Sequence, residues 1–184
     1  MRAYRQNVTD APRLTITLVP TAQWGANLHQ SLRGPRWDLL RRETYRRAGH
    51  KCELCDQQDQ QLEAHEVWEY DKAAGIQRLL RLISVCHACH EVQHFGLARM
   101  RGRGTAAQAH LAKVNGWDDA TARRHIDEAF AVWKQRNKVA WTLDLAILAD
   151  YGVSPPTTDE LDAARALRKT QLHGGGGRFR EASQ

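Results

Sequence analysis

Four cysteines fall into two pairs with the same spacing: Cys52 and Cys55 in the segment CELC, and Cys86 and Cys89 in the segment CHAC. Two residues between the cysteines allow one tight turn, or knuckle, to direct both sulfur atoms at the same ion. Two such knuckles complete a tetrahedral zinc site. A redox-active pair and two small disulfide loops are the alternatives. We predict a structural Zn²⁺ ion bound by all four cysteines.

Three histidines accompany the cysteines. His90 follows Cys89 directly, and His94 lies four residues later on a predicted helix, so both imidazoles face the same side. His65 lies between the two cysteine pairs, in the extended segment LEAHEVW. Three neutral imidazoles that share one ion leave a coordination position open for a reaction. We predict a second site at His65, His90 and His94 for a divalent metal (Mg²⁺, Mn²⁺ or Zn²⁺).

Hydrophobic residues make up 42% of the 184 residues, which is enough for a core. We see no apolar run long enough to span a membrane, and the first ten residues lack the apolar stretch of a secretion signal. We therefore expect a cytoplasmic protein without a membrane partner. In a reducing cytoplasm, CxxC pairs bind metals more often than they form disulfides.

The formal net charge is +6, and arginines concentrate before the first cysteine pair and after the second. The guanidinium group matches phosphate oxygens, and a clustered positive surface attracts polyanions. A solvated helix face is the alternative for any single arginine. We expect nucleic acid, above all DNA, as the partner. The residues predicted to contact it are Arg41, Arg42, Arg46, Arg47, Arg81, Arg99, Arg101 and Arg103.

The segments around the ligands predict four consecutive elements. Pro35 can begin a helix that runs to Ala48, just before the first knuckle. Residues 62–70 and 76–85 predict an antiparallel hairpin because they are rich in β-forming residues and flank the turn DKAAG. A further helix begins near Cys89. The order knuckle, hairpin, knuckle and helix is that of a treble-clef zinc finger.

The flanking segments predict additional elements. Alternation of apolar and polar residues at 13–19 and at 141–147 predicts two strands, which we expect to pair with each other. Helical spacing predicts helices at 105–115 and 118–137. After two prolines, a weak helix is predicted to end near Leu172 and to precede a disordered tail.

We therefore predict an α+β fold in which a treble-clef ββα core carries flanking helices and a small terminal strand pair. The expected divisions are an N-terminal strand and basic helix (1–49), a zinc finger (50–98), a helical extension with a closing strand (99–153), and the weak helix with its tail (154–184).

The segment 50–97 contains CELC, LEAHEV and LISVCHACHEVQH, and it resembles the HNH endonucleases, which are ββα-metal nucleases with a four-cysteine zinc site. The resemblance implies that His65 takes a metal-binding position and Glu66 the position of the general base. His90 and His94 match the ligand positions on the helix. The implied reaction is metal-assisted hydrolysis of phosphodiester bonds in DNA, with an arginine such as Arg81 on the phosphate.

Two positions depart from the family pattern. Glu66 stands where the family has a histidine base, and no asparagine occurs between His65 and His94 to orient such a base. In a second register, His65 is the base and Ala64 takes the metal-binding position. A catalytically inactive relative that binds nucleic acid, and a zinc domain that binds protein, are therefore the alternatives to an active nuclease.

Overall fold

The computed structural model describes residues 11–25, 27–58 and 61–174. The elements before and within the hairpin are α1 (Leu28–Leu32), α2 (Pro35–Arg47), β1 (Leu62–Asp71) and β2 (Ile76–Cys86). The elements that follow are α3 (His87–Gln93), α4 (Phe95–Met100), α5 (Gly104–Asn115), α6 (Asp119–Arg136), β3 (Thr142–Asp144) and α7 (Thr158–Gly174). Short 3₁₀ helices lie at Thr21–Gln23 and Ala146–Tyr151. The fold of the described residues is mixed α+β, with one three-stranded sheet in the order β1-β2-β3.

The predicted hairpin is confirmed, and its register fixes the faces on which the candidate site residues lie. β1 and β2 are antiparallel, and their pairing is regular over residues 62–67, before a β-bulge interrupts it. Successive residues of a strand point to opposite faces of the sheet. Glu63 and His65 therefore share one face, and Glu66 belongs to the other.

Two clusters of buried side chains cover the two faces of the hairpin. The first joins β2 to the helices that follow it and surrounds the cysteines; its large members are Leu14, Ile16, Ile83, Val85, Val92, Phe95, Leu111 and Ile126. The second joins the hairpin to α1, α2 and the second 3₁₀ helix; its members are Leu28, Leu32, Leu40, Leu79, Leu82, Leu145, Leu148, Tyr151 and Val153. The cysteine pairs thus belong to a core that extends beyond the hairpin.

The prediction that residues 13–19 pair with residues 141–147 is wrong. β3 pairs in parallel with the start of β2, and residues 13–19 form no strand. The backbone of this N-terminal segment bonds to helices instead: Thr17 N donates to Gln93 O at 3.1 Å, and the Asn115 side chain bonds to both the N–H and the C=O of Leu14. The alternation did mark the side chains that become buried, Leu14 and Ile16.

The second predicted strand is shorter than expected because a turn follows it. The Asp144 carboxylate accepts a hydrogen bond from Ala146 N at 3.1 Å, and the 3₁₀ helix begins there. Such a local side-chain bond competes with continued strand pairing. The sheet therefore gains only three residues from this segment.

The predicted helices at 105–115 and 118–137 correspond to α5 and α6. Asp118 caps α6 by accepting a hydrogen bond from Thr121 N at 2.8 Å. α4 ends at Met100 and α5 begins at Gly104, so residues 101–103 connect these two helices. No helix in the described ranges is long and apolar enough to cross a membrane. The predicted disordered tail beyond Gly174 lies outside the described residues.

Candidate metal centres

The four cysteines come together as one cluster. Their sulfur atoms all lie within 4.8 Å of one another, and none of the four forms a disulfide. The Sγ atoms of Cys55 and Cys86 are 3.7 Å apart. Zn–S bonds of about 2.3 Å in a tetrahedral site place neighbouring sulfurs about 3.8 Å apart. The cluster therefore has the ligand type and the size of a structural zinc site.

Burial of these thiols also fits a bound cation. Cys52, Cys86 and Cys89 are almost completely buried. The contact between Cys52 and Cys89 lowers the pKa of Cys52 to about 4 and raises the pKa of Cys89 far above its usual range, because two close sulfurs share one proton. Burial raises the pKa of Cys55 to about 11. A dication offsets the repulsion between thiolates that otherwise keeps several of them protonated.

The first knuckle is held against β2 by Glu53, a residue that the cysteine spacing did not single out. Glu53 N donates to Ser84 O at 2.9 Å, and the Glu53 carboxylate accepts from Ser84 N at 2.9 Å. Ser84 lies two residues before Cys86 on the same strand. These two hydrogen bonds therefore fix the first cysteine pair relative to the second.

The three predicted histidines form a second cluster. The ligand nitrogens of His65, His90 and His94 lie within 4.8 Å of one another. Their ring centroids are 5.3 Å apart for His65 and His90, 4.9 Å for His65 and His94, and 4.6 Å for His90 and His94. The rings are nearly perpendicular, so they do not stack on one another. The structure thus brings all three predicted ligands to one point.

Each ring reaches the cluster from a different place in the fold. His65 projects from β1, His90 from α3, and His94 stands at the junction where α3 ends and α4 begins. The backbone bond from His94 N to His90 O, at 3.0 Å, keeps the one-turn spacing even at this junction. The predicted continuous helix is therefore broken at His94, but the two rings still face the same side.

His65 provides the observation that tests whether a metal fits here. Its side chain is buried, and neither ring nitrogen has a hydrogen-bond partner among the residues that the structure describes. Burial, with His94 and His90 nearby, lowers the pKa of His65 well below its usual value, so the ring is neutral. Buried polar atoms without partners are rare in native proteins because they lose their hydration. A neutral imidazole with an unused nitrogen is a metal ligand by chemical type.

Glu63 supports this cluster and was missed from the sequence. Its carboxylate Oε2 lies 2.7 Å from His90 Nδ1, and its Oε1 lies 2.8 Å from His87 Nδ1. The contacts with His90 and then His87 lower the pKa of Glu63 to about 2. A carboxylate on one ring nitrogen orients a histidine so that its other nitrogen can bind a metal. The strand alternation, which puts Glu63 on the face of His65, was the available signal.

Glu66, predicted as the general base, does not join the imidazole cluster. Glu66 pairs across the hairpin with Leu82, and its side chain belongs to the face that is turned away from His65. Its Oε1 accepts a hydrogen bond from Leu28 N at 3.0 Å. Burial raises the pKa of Glu66. The carboxyl group thus provides a hydrogen-bond acceptor for the first backbone N–H of α1. Ala64, the metal position of the second register, packs on this same face.

Most of the predicted nucleic-acid-binding arginines already have acidic partners. Arg46 and Arg47 both bond to Glu43, and Arg103 bonds to Glu91. Arg41 lies 2.8 Å from Asp38, and Arg81 lies 2.6 Å from Glu53. These ion pairs reduce the positive charge that such side chains offer to a phosphate.

Three arginines of the set differ from the others. Arg42, Arg99 and Arg101 have no acidic partner among the described residues. The Arg99 guanidinium instead lies 5.3 Å from the centre of the Phe130 ring. Within the predicted set, the arginines without an acidic partner in the described ranges therefore lie on α2 and at the end of α4.

Comparisons of this chain with protein-family models, with curated protein sequences and with solved structures find no match. The two clusters of ligand side chains are therefore the features on which a functional assignment depends.

Proposed function

We propose that this protein is an HNH-like, metal-dependent endonuclease that hydrolyses phosphodiester bonds in DNA, with a four-cysteine zinc site as its scaffold. The observation that supports this most is the convergence of His65, His90 and His94 on one point. His90 directly follows Cys89, a member of the cysteine cluster. In this proposal the two knuckles, the hairpin and α3 form a treble clef.

A divalent metal bound at the three imidazoles supplies Lewis-acid stabilisation of the charge that develops on a phosphate during hydrolysis. The protein residues fix the positions of the candidate ligand atoms. His65 offers two nitrogens that form no hydrogen bond within the described ranges, and Glu63 holds His90 by its Nδ1. Three protein ligands leave room for a further ligand, as hydrolytic metal sites require.

DNA as the substrate is supported by the basic side chains and by the resemblance in segment 50–97. Arg42, Arg99 and Arg101 are the arginines of the predicted set that are best able to bind phosphate, because no described acidic group competes for them. The paired arginines can contribute only if DNA displaces their carboxylate partners. Binding through phosphate contacts weakens steeply as salt concentration rises.

A second function is favoured by one specific observation. The carboxyl group of Glu66 bonds to Leu28 N on the face of β1 that lies away from the imidazoles. A protein whose predicted base, Glu66, lies away from the imidazoles is better suited to bind nucleic acid than to cut it. The alternative is therefore a zinc-containing module that binds nucleic acid without hydrolysis, or one that binds a protein partner.

Plasmid cleavage by the zinc-loaded full chain, with Mg²⁺, Mn²⁺ or Zn²⁺ added, tests the proposal. Wild type is expected to nick or linearise the plasmid, and His90→Ala is expected to abolish this. His50→Asn is the matched control, because His50 is exposed, lies outside the cluster and has a positive φ angle that Asn tolerates.

The contrary outcomes separate the alternatives. Salt-sensitive DNA binding by a metal-loaded protein that cuts no DNA would support the non-hydrolytic module. The absence of both binding and cleavage would point to a protein partner. Cleavage that survives in His90→Ala and in His94→Ala would show that the reaction takes place elsewhere.

A further inference from the structure

A histidine outside the predicted finger contacts the cysteine cluster. His110, on α5, places its Nε2 atom 3.2 Å from the Sγ atom of Cys89. The two residues are 21 positions apart in the sequence, and His110 is not one of the cysteine cluster's ligands. Its neighbours Ala107 and Leu111 are buried in the core that also contains the cysteines. The ring is therefore held at this sulfur by the packing of its helix.

The direction of this hydrogen bond depends on whether the Cys89 sulfur carries a proton. A cysteine that binds zinc is a thiolate and has no proton to donate. A hydrogen bond between the two atoms then requires that Nε2 carries the hydrogen, so that the imidazole donates and the sulfur accepts. A hydrogen-bond donor at a thiolate delocalises some of its negative charge and stabilises the metal-bound thiolate, as hydrogen-bond partners of other metal ligands do.

We propose that His110 is a positioning residue for the four-cysteine zinc site, donating an Nε2–H···S hydrogen bond to Cys89 that strengthens metal binding and links helix α5 to the finger. The proposal rests on the zinc site of the proposed function, but it is independent of nuclease activity, since it concerns only the cysteine site. According to this proposal, zinc also stabilises the position of α5. Metal binding and the packing of α5 reinforce each other, because each holds Cys89 in place.

The burial of Cys89 and its position beside His90 support this assignment. Cys89 is completely buried, so water does not reach its sulfur in place of His110. Cys89 is also the residue directly before His90, which belongs to the imidazole cluster. A group that fixes the Cys89 sulfur therefore acts at the boundary between the two clusters of ligands.

Zinc affinity of three variants of the full chain provides the test. Co²⁺ replaces zinc, and its thiolate charge-transfer absorption, which arises only from the cysteine site, is followed during competition with a chelator. His110→Ala is expected to weaken metal binding by about 10-fold or more. His110→Gln is expected to remain close to wild type, because the glutamine amide can place a donor near the position of Nε2.

The matched control is His125→Ala. His125 is also a partly buried histidine of the helical layer; it lies 5.2 Å from the Trp117 ring and touches no cysteine in the described structure. Its replacement should leave the metal affinity at the wild-type value. Equal losses in His110→Ala and His125→Ala, an unchanged affinity in His110→Ala, or an equal loss in His110→Gln would each overturn the proposal.

A measurement on the wild type does not depend on the folding of any variant. In zinc-loaded protein with ¹⁵N-labelled histidine, the ring of His110 should be the neutral tautomer that carries hydrogen on Nε2. Replacement of zinc by ¹¹³Cd should then give a scalar coupling between that hydrogen and the metal. A ring with its hydrogen on Nδ1 alone would show that no such hydrogen bond exists.

Discussion

Glu63 and His90 are joined through Oε2 and Nδ1 at a distance of 2.7 Å, and this contact leaves Nε2 as the ring nitrogen of His90 that can face a metal. The two residues come from different elements, β1 and α3. Their hydrogen bond therefore fixes both the rotation of the imidazole and the distance between strand and helix. The same carboxylate also bonds to His87, so a single side chain holds both histidines near the start of α3.

Glu63→Gln is expected to weaken divalent-metal binding at the three histidines by about 10- to 100-fold, because the amide loses the charge that holds His90. Titration of the zinc-loaded protein with Co²⁺, followed by its d–d absorption, measures this affinity. Glu69→Gln is the matched control, since Glu69 lies on the same strand and pairs with Arg78 at the surface. Equal affinities of the two variants would contradict the orienting role of Glu63.

His65→Ala distinguishes the two registers that the sequence left open. If His65 is a ligand, its loss should weaken metal binding at the second site by more than about 10-fold and should also remove any cleavage. If His65 is a base, cleavage should fall while metal binding stays close to wild type. The unpartnered nitrogens of His65 and their closeness to the other two rings lead us to expect the first result.

Glu66→Gln is expected to leave both the melting temperature and any cleavage near the wild-type values. Glutamine keeps an oxygen that can accept the hydrogen bond from Leu28 N, and the carboxyl lies away from the imidazoles. Loss of a general base costs about 10²–10⁴ in rate, so a decrease of that size with an unchanged melting temperature would restore Glu66 to the base role.

Glu66→Leu is the companion variant. It removes the acceptor and leaves a buried backbone N–H at Leu28 without a partner, which costs on the order of 1–3 kcal/mol. A melting temperature that drops in Glu66→Leu and not in Glu66→Gln would establish that this side chain stabilises the start of α1. Equal melting temperatures in the two variants would show that the hydrogen bond contributes little.

Features that depend on short-range spacing could be predicted from the sequence. The cysteine pairs, the hairpin and the placement of His90 and His94 each follow from contacts between residues a few positions apart. The approach of His65 to the helix also followed, because a hairpin packed on α3 brings its first strand alongside. Local geometry and one packing assumption were sufficient to predict both clusters of candidate ligands.

Features that depend on long-range partners could not be predicted. Residues 13–19 alternate like a strand, yet their backbone bonds to helical residues that lie at least 76 positions later in the chain. The charges of Arg81 and Arg103 are offset by Glu53 and Glu91, which lie in other parts of the chain. Sequence spacing reveals periodicity, but it does not reveal which distant residue forms a hydrogen bond with a given backbone group or an ion pair with a given side chain.

Removal of zinc is expected to unfold the finger and loosen the core around it. Three of the four cysteines are almost completely buried, so a chelator should lower the melting temperature, and added zinc should restore it. Cys52→Ser should weaken zinc binding by more than about 100-fold, since the loss of a ligand exceeds the loss of an outer partner.

A melting temperature that is insensitive both to chelator and to Cys52→Ser would contradict the zinc assignment. The alternative of a disulfide would show itself differently, because a reducing agent rather than a chelator would then destabilise the protein. Mass measurement under native conditions counts the bound ions and separates these cases directly.

The pH dependence of stability should reveal the environment of His125. Burial lowers the pKa of His125 below its usual value, because the charged ring loses hydration in the helical layer. The neutral ring therefore contributes stability that is fully present above about pH 6.5 and is lost as pH falls through the lower pKa of the folded state. His125→Gln cannot take up this proton, and its amide oxygen can still accept from Ile16 N.

Below pH 6.5 the free energy of unfolding should therefore decrease less steeply in His125→Gln than in wild type, as measured by urea denaturation at several pH values. The exposed His50 provides the control, and His50→Asn should follow the wild-type curve. A His125→Gln curve that stays parallel to wild type over this range would mean that the ring gains its proton without cost. In that case the contact between His125 Nε2 and Ile16 N, at 3.4 Å, would not hold the N-terminal segment on α6.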